Sequence, residues 1–215
     1  MKLFSFWQSS ASYRVRIALN LKGLDADYVS INLSPDVQAQ LKPVYLDLNP
    51  EGRIPAIAVD EGLIGQSMAI MEWLEELHPE PALLPDDPWQ RAKCRQFANT
   101  IACDIHPLNN ASVLRWLTGE LEVEQPKLMK WYKHWINRGF EPLEKQAAAS
   151  EAEFLFGDAP GMAEICLIPQ MFKGRQFGMK FEKFPTLCAL EETCLALDAF
   201  ERARPENQPD APENL

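Results

Sequence analysis

Short apolar runs alternate with amphipathic stretches over the first third of the chain. Residues 2–7 are dense in apolar and aromatic side chains without clean alternation, which predicts a central strand buried on both faces. Residues 13–22 have apolar side chains at helical spacing and end before Gly23, a residue type favoured just after helices. Residues 28–33 alternate and predict a second strand, so the whole segment predicts a parallel βαβ unit.

A hairpin and a helix are predicted to complete this first domain. Within residues 55–65, two short apolar runs flank an Asp-Glu-Gly turn, a pattern typical of paired antiparallel strands. Helical spacing resumes at Ser67, after a stretch between the second strand and the hairpin that predicts only an irregular helix. The predicted order of elements is therefore βαβ, an irregular helix, ββ and α.

Four prolines between positions 79 and 88 separate this pattern from a purely helical one. Prolines stiffen a connector and disfavour both helix and sheet, which makes the stretch a domain boundary. We therefore predict an α/β domain over residues 1–80, a proline-rich linker over 81–88 and an all-helical domain over 89–215.

The pattern after the prolines predicts helices only. Apolar positions that step by three and four predict a long helix over 89–116, kinked at Pro107. A second long helix follows it, with leucines and tryptophans at helical spacing. Shorter helices are expected at 162–172 and 186–198, and the tail from Pro205 is expected to run over the surface.

Composition and charge argue against several kinds of partner. The 215 residues carry a formal net charge of −10, which repels nucleic-acid backbones and anionic membrane surfaces. No apolar run approaches the ~20 residues of a membrane span, and the N-terminal apolar patch is too short for a signal peptide. We expect a cytoplasmic protein that binds neither nucleic acid nor membranes.

The cysteines and histidines do not predict a metal site. The five cysteines form no C-x-x-C pair, and their odd number is typical of reduced thiols in the cytoplasm. The three histidines lack the spacing of zinc ligands. We therefore expect neither a bound metal nor a redox pair of cysteines.

The first candidate for chemistry is Ser9-Ser10, where the first predicted strand meets the first helix. A serine at such a junction commonly caps the helix, which is the simpler interpretation. Its hydroxyl can also donate a hydrogen bond to a bound thiolate, and the helix N-terminus adds a positive potential for the same anion. The sequence alone leaves the two roles open.

Two further candidates lie at the ends of other elements. Ile54-Pro55 precedes a predicted strand, where it forms either an ordinary turn or a cis-proline that presents the Ile54 backbone to an extended peptide. Gln66-Ser67 opens a helix, where Ser67 acts as a cap or joins Gln66 in binding a carboxylate. Together with the two serines of the first helix, they are consistent with one groove for a small, anionic, cysteine-containing peptide.

A polar cluster at the predicted helix kink is the fourth candidate. His106 and Asn110 lie on either side of Pro107. A lone histidine in a helix is more often structural than catalytic, but polar side chains gathered beside a helix break raise the odds of a function.

On these motifs the chain resembles the zeta-class glutathione transferases, the family of the maleylacetoacetate and maleylpyruvate isomerases. The family fingerprint is SSCxxRVRIAL, and residues 9–19 read SSASYRVRIAL. Further matches are NP at 49–50, IPA at 54–56, QSMAIMEWLEE at 66–76, IHPLNN at 105–110, LIPQ at 167–170 and QPDAPENL at 208–215. The resemblance covers nearly the whole chain and implies a thioredoxin-like N-terminal domain followed by an all-α C-terminal domain.

The resemblance also implies that several of these residues bind glutathione as a cofactor. Ser9 matches the serine that hydrogen-bonds the glutathione thiolate, and Ser10 matches its neighbour in the site. Ile54 matches the residue whose backbone pairs with the cysteinyl residue of glutathione. Gln66 and Ser67 match the pair that holds the γ-glutamyl carboxylate.

Other positions match residues that approach the rest of glutathione or the substrate. By the resemblance, Gln40 is placed at the glycyl end, and His106 and Asn110 approach glutathione or the substrate. Two cations are candidates for binding an acidic substrate. Arg175 lies one residue from the position where some relatives carry a substrate-binding arginine, and Arg14 lies just inside the first helix, where a structural ion pair is the alternative.

The activity that the resemblance implies is glutathione-dependent cis–trans isomerisation of a maleyl-type diacid by a homodimer. One departure from the fingerprint is Ala11, which stands in place of the cysteine. The alternatives are a transferase that conjugates or dehalogenates small electrophiles, and a non-catalytic glutathione-binding module. The serines of the first helix and the Gln66-Ser67 pair argue against the module, because a pure scaffold does not need all of them.

Overall fold

The computed structural model describes residues 1–212, and the chain divides into two compact units. The N-terminal unit consists of Met1–Leu83 and the chain from Leu195 onward, and the helical unit consists of Leu84–Cys194. The division falls inside the stretch predicted as a linker, and it differs from the predicted domains at the C-terminal end.

A mixed sheet of four strands lies at the centre of the N-terminal unit, in the order β2, β1, β3, β4. The strands are β1 (Lys2–Ser5), β2 (Asp27–Ser30), β3 (Ala56–Val59) and β4 (Gly62–Gly65). β1 runs parallel to β2 and antiparallel to β3, and β3 forms a hairpin with β4. The predicted βαβ unit and hairpin are confirmed, and so is the central position of the first strand.

Helices follow β1, β2 and β4. They are α1 (Ser10–Leu21), α2 (Pro43–Leu46) and α3 (Ser67–Leu77), with a 3₁₀ turn at Ala39–Leu41 before α2. Gly23 follows α1 with a φ of 63°, a left-handed conformation that favours glycine. Sheet and helices together form the thioredoxin-like fold that the sequence predicted.

One side of the sheet packs on the short helical segment that precedes β3. Phe4, Ile31, Tyr45 and Ala56 form a buried cluster, in which the ring centroids of Phe4 and Tyr45 are 5.8 Å apart. Burying an isoleucine or phenylalanine side chain contributes about 1.5–3 kcal/mol. The cluster therefore fixes Tyr45 beside the loop that leads into β3.

A buried ion pair fastens the end of α1 to the chain that follows α3. Lys22 Nζ donates to Glu75 Oε2 at 2.8 Å, and neither side chain is more than 7% exposed. The same ammonium group donates to the carbonyl oxygens of His78 at 2.6 Å and Pro81 at 2.9 Å. Glu75 Oε2 also accepts the backbone N–H of Leu83 at 2.9 Å, so the pair holds the chain from His78 to Leu83.

The second unit is helical, as predicted. Its helices are α4 (Pro88–Asn99), α5 (Ala111–Gly119), α6 (Gln125–Ala148), α7 (Met162–Gln176) and α8 (Pro185–Leu195). α6 turns one face inward, with Tyr132, Ile136 and Phe140 buried at a spacing of four residues. The predicted second long helix is therefore confirmed, and its leucines Leu128 and Leu143 are buried on this face, while its tryptophans are half-buried.

The prediction of one kinked helix over 89–116 is wrong in its middle. After α4 the chain forms a π-helical turn at Thr100–Ile105 and a 3₁₀ turn at Pro107–Asn109, and Asn110 then takes an extended conformation before α5. Pro107 has no N–H to donate, and its ring clashes with the preceding turn, so it breaks the helix here rather than bending it. The polar cluster thus lies on a break between two helices.

The tail from Pro205 runs over the surface as predicted, since residues 206–212 are exposed or half-buried, but it belongs to the N-terminal unit rather than to the predicted helical domain. The predicted helix at 186–198 ends with α8, and a separate helix, α9 (Asp198–Ala203), belongs to the N-terminal unit. Asn20 Nδ2 donates to the carbonyl oxygen of Ala199 at 2.8 Å, and Pro205 is buried. The tail is polar in sequence, but its polar groups bond to α1 and to the sheet.

Candidate functional site

The register of the sheet brings three connections to one edge of the N-terminal unit. Phe4 of β1 pairs with Ala56 of β3, and Ala56 pairs with Gly65 of β4. β1 ends one residue after Phe4, β3 begins at Ala56, and β4 ends at Gly65. The loop into α1, the approach to β3 and the start of α3 therefore all lie at this edge, as three of the sequence candidates require.

Ser9 caps α1 through its side-chain oxygen. Ser9 Oγ accepts the backbone N–H of Ser12 at 3.2 Å. This bond uses a lone pair of the oxygen, so the hydroxyl hydrogen can still donate to a ligand. The two roles that the sequence left open are therefore compatible. Ser10 is the first residue of α1 and is buried.

The approach to β3 contains the cis-proline that the sequence suggested. The Ile54-Pro55 bond is cis, and Ile54 is half-buried. The carbonyl oxygen of the preceding residue, Arg53, accepts the Tyr45 hydroxyl at 2.7 Å and Asn49 Nδ2 at 2.9 Å. Sequence reasoning missed these two supports, although the NP match at 49–50 contains one of them.

The start of α3 has an unusual backbone. Gln66 has a φ of 64°, a region that non-glycine residues rarely adopt and that costs roughly 1–3 kcal/mol. Its exposed side chain donates from Nε2 to Glu51 Oε2 at 2.9 Å. Ser67, the first residue of α3, is buried. Strained residues of this kind cluster at ligand-binding sites, which supports the assignment of Gln66-Ser67 to a site.

Arg14 links α1 to the start of α3. Its Nη1 donates to Ser67 Oγ at 3.3 Å, and the residue is only 2% exposed. Within residues 1–212, its Nε and Nη2 are buried without a hydrogen-bond partner. The ion-pair alternative for Arg14 is therefore not supported by the part of the chain that the structure describes. A buried guanidinium at a helix N-terminus favours an anion there.

Gln40 lies on the 3₁₀ turn before α2, close to the loop that leads to the cis-proline. A side chain at Gly52 would come within 3.2 Å of the Gln40 carbonyl oxygen, and Gly52 has a φ of 59°. Gln40 is buried, and its Oε1 has no hydrogen-bond partner within the described chain. Gln40 thus lies near the loop that leads to Ile54, within the N-terminal unit, which agrees with a role at the same groove.

In the helical unit, His106 and Asn110 flank the break that follows the π-helical turn. Asn110 caps α5, because its Oδ1 accepts from the backbone N–H of Ser112 at 3.0 Å and from its hydroxyl at 3.1 Å. The backbone N–H of His106 donates to the carbonyl oxygen of Ile101 at 2.8 Å, the wide spacing of a π turn. Such turns are frequent at functional sites.

Arg175 is engaged by a carboxylate that sequence reasoning missed. It lies near the end of α7 and donates from Nε to both oxygens of Glu191 on α8, at 3.2 and 3.1 Å, and again from Nη2. Its guanidinium also lies 5.3 Å from the ring centroid of Phe181. The charge of Arg175 is therefore already paired with a carboxylate of the helical unit. No motif marked Glu191, which is one of two adjacent glutamates in a helix.

Two of the five thiols, those of Cys94 and Cys194, are poorly suited to act as nucleophiles. Burial raises the pKa of Cys94 to about 12, and it also raises the pKa of Cys194. Across residues 1–212, no three side chains of the metal-ligating types lie together, and no helix is both long and apolar enough to cross a membrane.

Comparisons with known proteins show the family to which this chain is similar. The profile of the glutathione S-transferase N-terminal domain matches residues 3–82. The maleylacetoacetate isomerase of Pseudomonas aeruginosa is 44% identical over 99% of both chains. The holo structure of a maleylpyruvate isomerase, described as a bacterial glutathione transferase of the zeta class, has a TM-score of 0.95 and 39% identity, covering 99% of this chain and 100% of that one.

A second solved structure contains ligands. The maleylacetoacetate isomerase from Methylobacterium extorquens, with bound malonate and glutathione, has a TM-score of 0.93 and 36% identity over 99% of this chain and 100% of that one. A thioredoxin-like unit and a helical unit of this kind define the glutathione transferase fold. The chain therefore belongs to the glutathione transferase family, in its zeta class of maleylacetoacetate and maleylpyruvate isomerases.

Proposed function

We propose that the protein is a glutathione-dependent cis–trans isomerase of a maleyl-type diacid such as maleylacetoacetate or maleylpyruvate. The observation that carries this proposal is the meeting of three connections at one sheet edge, with Arg14 buried and bonded to Ser67 there. Full-length relatives named as such isomerases support the choice of reaction.

Glutathione binds along this edge in the proposal. Its γ-glutamyl carboxylate lies at the N-terminus of α3, where Gln66, Ser67 and the positive charge of Arg14 favour an anion. Its cysteinyl residue pairs with the backbone of Ile54, and its sulfur lies at Ser9. The glutathione in the Methylobacterium relative supports this cofactor, and the order of these groups along the edge suits a short peptide.

The chemistry follows from the double bond of the substrate. A cis C=C bond conjugated to carbonyl groups cannot rotate until its π bond is broken. The glutathione thiolate adds to one carbon, the π electrons move into the carbonyl to form an enolate, and the remaining single bond rotates. The enolate then collapses and expels the thiolate, so the trans acid is released and glutathione is unchanged.

The protein must keep the sulfur ionised for this reaction. A free thiol has a pKa of about 8.5, and lowering it by one unit corresponds to about 1.4 kcal/mol. A hydrogen bond to a charged group contributes about 1.5–3 kcal/mol. One donor, the hydroxyl of Ser9, is therefore sufficient in magnitude, and Ser10 and the N-terminus of α1 add to it.

A transferase that conjugates small electrophiles is the second candidate, and two observations favour it. Ala11 replaces the fingerprint cysteine, and Arg175 is already paired with Glu191. A conjugating enzyme needs the thiolate site but no partner for two substrate carboxylates. The non-catalytic module is set aside, since the full-length relatives are named as enzymes.

The proposed function is tested by one panel of substrates. Purified protein with glutathione is expected to convert maleylacetoacetate or maleylpyruvate to the fumaryl isomer, followed by the change in ultraviolet absorbance. Glutathione should not be consumed, which a thiol assay measures in the same samples. Stoichiometric loss of glutathione with a chlorinated acid, and no isomerisation of either maleyl acid, would establish the conjugating transferase instead.

Arg175 is proposed to bind a substrate carboxylate in competition with Glu191. Replacing Arg175 by alanine is expected to raise KM for the maleyl acid about tenfold, because a hydrogen bond to a charged group is lost. KM for glutathione should stay unchanged. Glu191→Gln keeps the arginine and removes its competitor, so KM for the acid should fall. Steady-state kinetics below the unfolding temperature measure both. If neither variant moves the KM of any diacid, Arg175 has only a structural role.

We also propose, from the family resemblance, that the protein acts as a homodimer in the cytoplasm. Its partners are then glutathione, a small anionic or electrophilic substrate and a second copy of the chain.

A further inference from the structure

The backbone just before Ser9 is held by a buried arginine. Arg16 of α1 donates from Nη1 to the carbonyl oxygen of Phe6 at 3.3 Å and from Nη2 to that of Trp7 at 3.2 Å. The Phe6 oxygen also accepts the backbone N–H of Ser9 at 3.0 Å. Arg16 and Ser9 therefore share one acceptor, and a shift of Phe6 would move Ser9 with it.

Asp210 binds a backbone N–H group of the same segment. One of its carboxylate oxygens, Oδ2, accepts the backbone N–H of Trp7 at 3.3 Å and the hydroxyl of Ser30 at 2.7 Å. The other, Oδ1, accepts the hydroxyl of Tyr28 at 2.7 Å. Ser30 and Tyr28 both belong to β2, so the carboxylate is fixed to the sheet and in turn fixes the loop.

The segment that carries Asp210 is itself anchored. Arg16 Nε donates to the carbonyl oxygen of Ala203 at 3.0 Å, and Gln208 Nε2 donates to that of Arg204 at 2.7 Å. Arg16 thus bonds both to the loop before Ser9 and to the C-terminal segment. Arg16 is also buried among carbonyl and hydroxyl acceptors, and burial lowers its pKa to about 10, so it remains a cation at neutral pH.

We propose that Arg16 and Asp210 are positioning residues of the reaction, which act as a clasp on Phe6 and Trp7 and thereby set the place of the Ser9 hydroxyl. The inference rests on the proposed function, because it takes Ser9 as the donor to the glutathione thiolate. Catalysis is sensitive to such placement, since a displacement of about 1 Å can lower turnover about a hundredfold. If the two residues had only a structural role, replacing them would change the stability of the protein but not the pKa of the bound glutathione thiol.

The test replaces the carboxylate by its amide. Asp210→Asn has the same shape, but one acceptor oxygen becomes an NH₂ group, so either the Trp7 amide or a hydroxyl of β2 loses its acceptor. We expect kcat to fall about tenfold while KM for glutathione changes less than about twofold. We also expect the pKa of the protein-bound glutathione thiol to rise, as measured by ultraviolet absorbance of the thiolate without any substrate.

A matched control lies in the same segment. Asn207 donates from Nδ2 to the carbonyl oxygen of Glu201 at 2.8 Å and to its Oε1 at 3.1 Å, and it has no contact with the loop among the hydrogen bonds of the described chain. Asn207→Ala should lower the melting temperature without changing kcat or the thiol pKa. Tyr28→Phe removes one hydrogen bond to Asp210 but keeps the charge of the carboxylate. It should lower kcat about threefold and raise the pKa of the bound thiol, as Asp210→Asn does.

The outcomes separate this inference from the function on which it rests. If Asp210→Asn lowers only the melting temperature, with kcat and thiol pKa as in the wild type, the clasp has no role in positioning. Should Asp210→Asn fail to fold, Tyr28→Phe decides by the same two readouts. If the unaltered protein itself does not lower the pKa of glutathione, the proposed function fails, whatever the variants do.

Discussion

Replacing Ser9 by alanine is expected to lower turnover of the maleyl acid by roughly 10- to 150-fold, the range that corresponds to about 1.5–3 kcal/mol for a hydrogen bond to a charged group. The hydroxyl hydrogen of Ser9 is the donor that its capping bond to Ser12 leaves available. Without it, the pKa of the bound thiol rises and less thiolate is present at neutral pH. Affinity for glutathione should change little, because Ile54 and Ser67 remain.

The experiment must separate this effect from the loss of the helix cap, which costs about 1 kcal/mol of stability. Asp87→Ala is the matched control, since Asp87 caps α4 by accepting the backbone N–H of Gln90 at 2.9 Å and lies in the helical unit. It should lose comparable stability and keep full turnover. Ser9→Thr keeps both cap and donor and should remain active. Turnover of Ser9→Ala within twofold of the wild type would assign the thiolate to another donor.

Replacing Lys22 by methionine is expected to lower the free energy of unfolding by about 3–5 kcal/mol, the effect of breaking a buried ion pair from one side. Lys22 is fully buried and holds Glu75 together with two carbonyl oxygens. Methionine fills the space of the stem but leaves the carboxylate buried without its cation. Denaturant unfolding followed by circular dichroism and tryptophan fluorescence measures the loss.

The exposed pair Arg202 and Asp198 provides the control for that measurement. Its side chains are 57% and 81% exposed and 2.8 Å apart, so Arg202→Met should cost no more than about 1 kcal/mol. Combining Lys22→Met with Glu75→Gln should recover part of the lost free energy of unfolding, because the second change removes the negative charge that Lys22 balanced. A loss below about 1 kcal/mol for Lys22→Met alone would mean that water or another group compensates the carboxylate.

The elements of the N-terminal unit were predictable because their signals are local. A continuous apolar run marked β1, and a turn of three residues marked the hairpin of β3 and β4. The pairing of Phe4 with Ala56 and of Ala56 with Gly65 was not readable, since it joins positions far apart in sequence. That register decides which loops meet, so the motifs located the candidate residues and suggested one groove, while the strand pairing that brings them together came only from the structure.

The errors have a common physical cause in polar contacts between distant segments. Apolar spacing continues across Pro107 even though the backbone there changes to a π turn, because periodicity reports the buried face and not the hydrogen-bond pattern. The contacts of the polar tail were not predicted because its hydrogen-bond partners lie on elements far away in sequence. Arg16, charged and set in an otherwise buried helix, was the available sign that carbonyl oxygens had to lie nearby.

The clasp of Asp210 on Trp7 also has a consequence for how the chain folds during synthesis. The two residues are 203 positions apart, so Trp7 is synthesised well before Asp210. At about 5–20 residues per second, the carboxylate arrives roughly 10–40 s after the loop that it holds. Throughout that interval the nascent N-terminal unit lacks the hydrogen bonds of Asp210, so the segment before Ser9 is held from this side only after residue 210 has been synthesised.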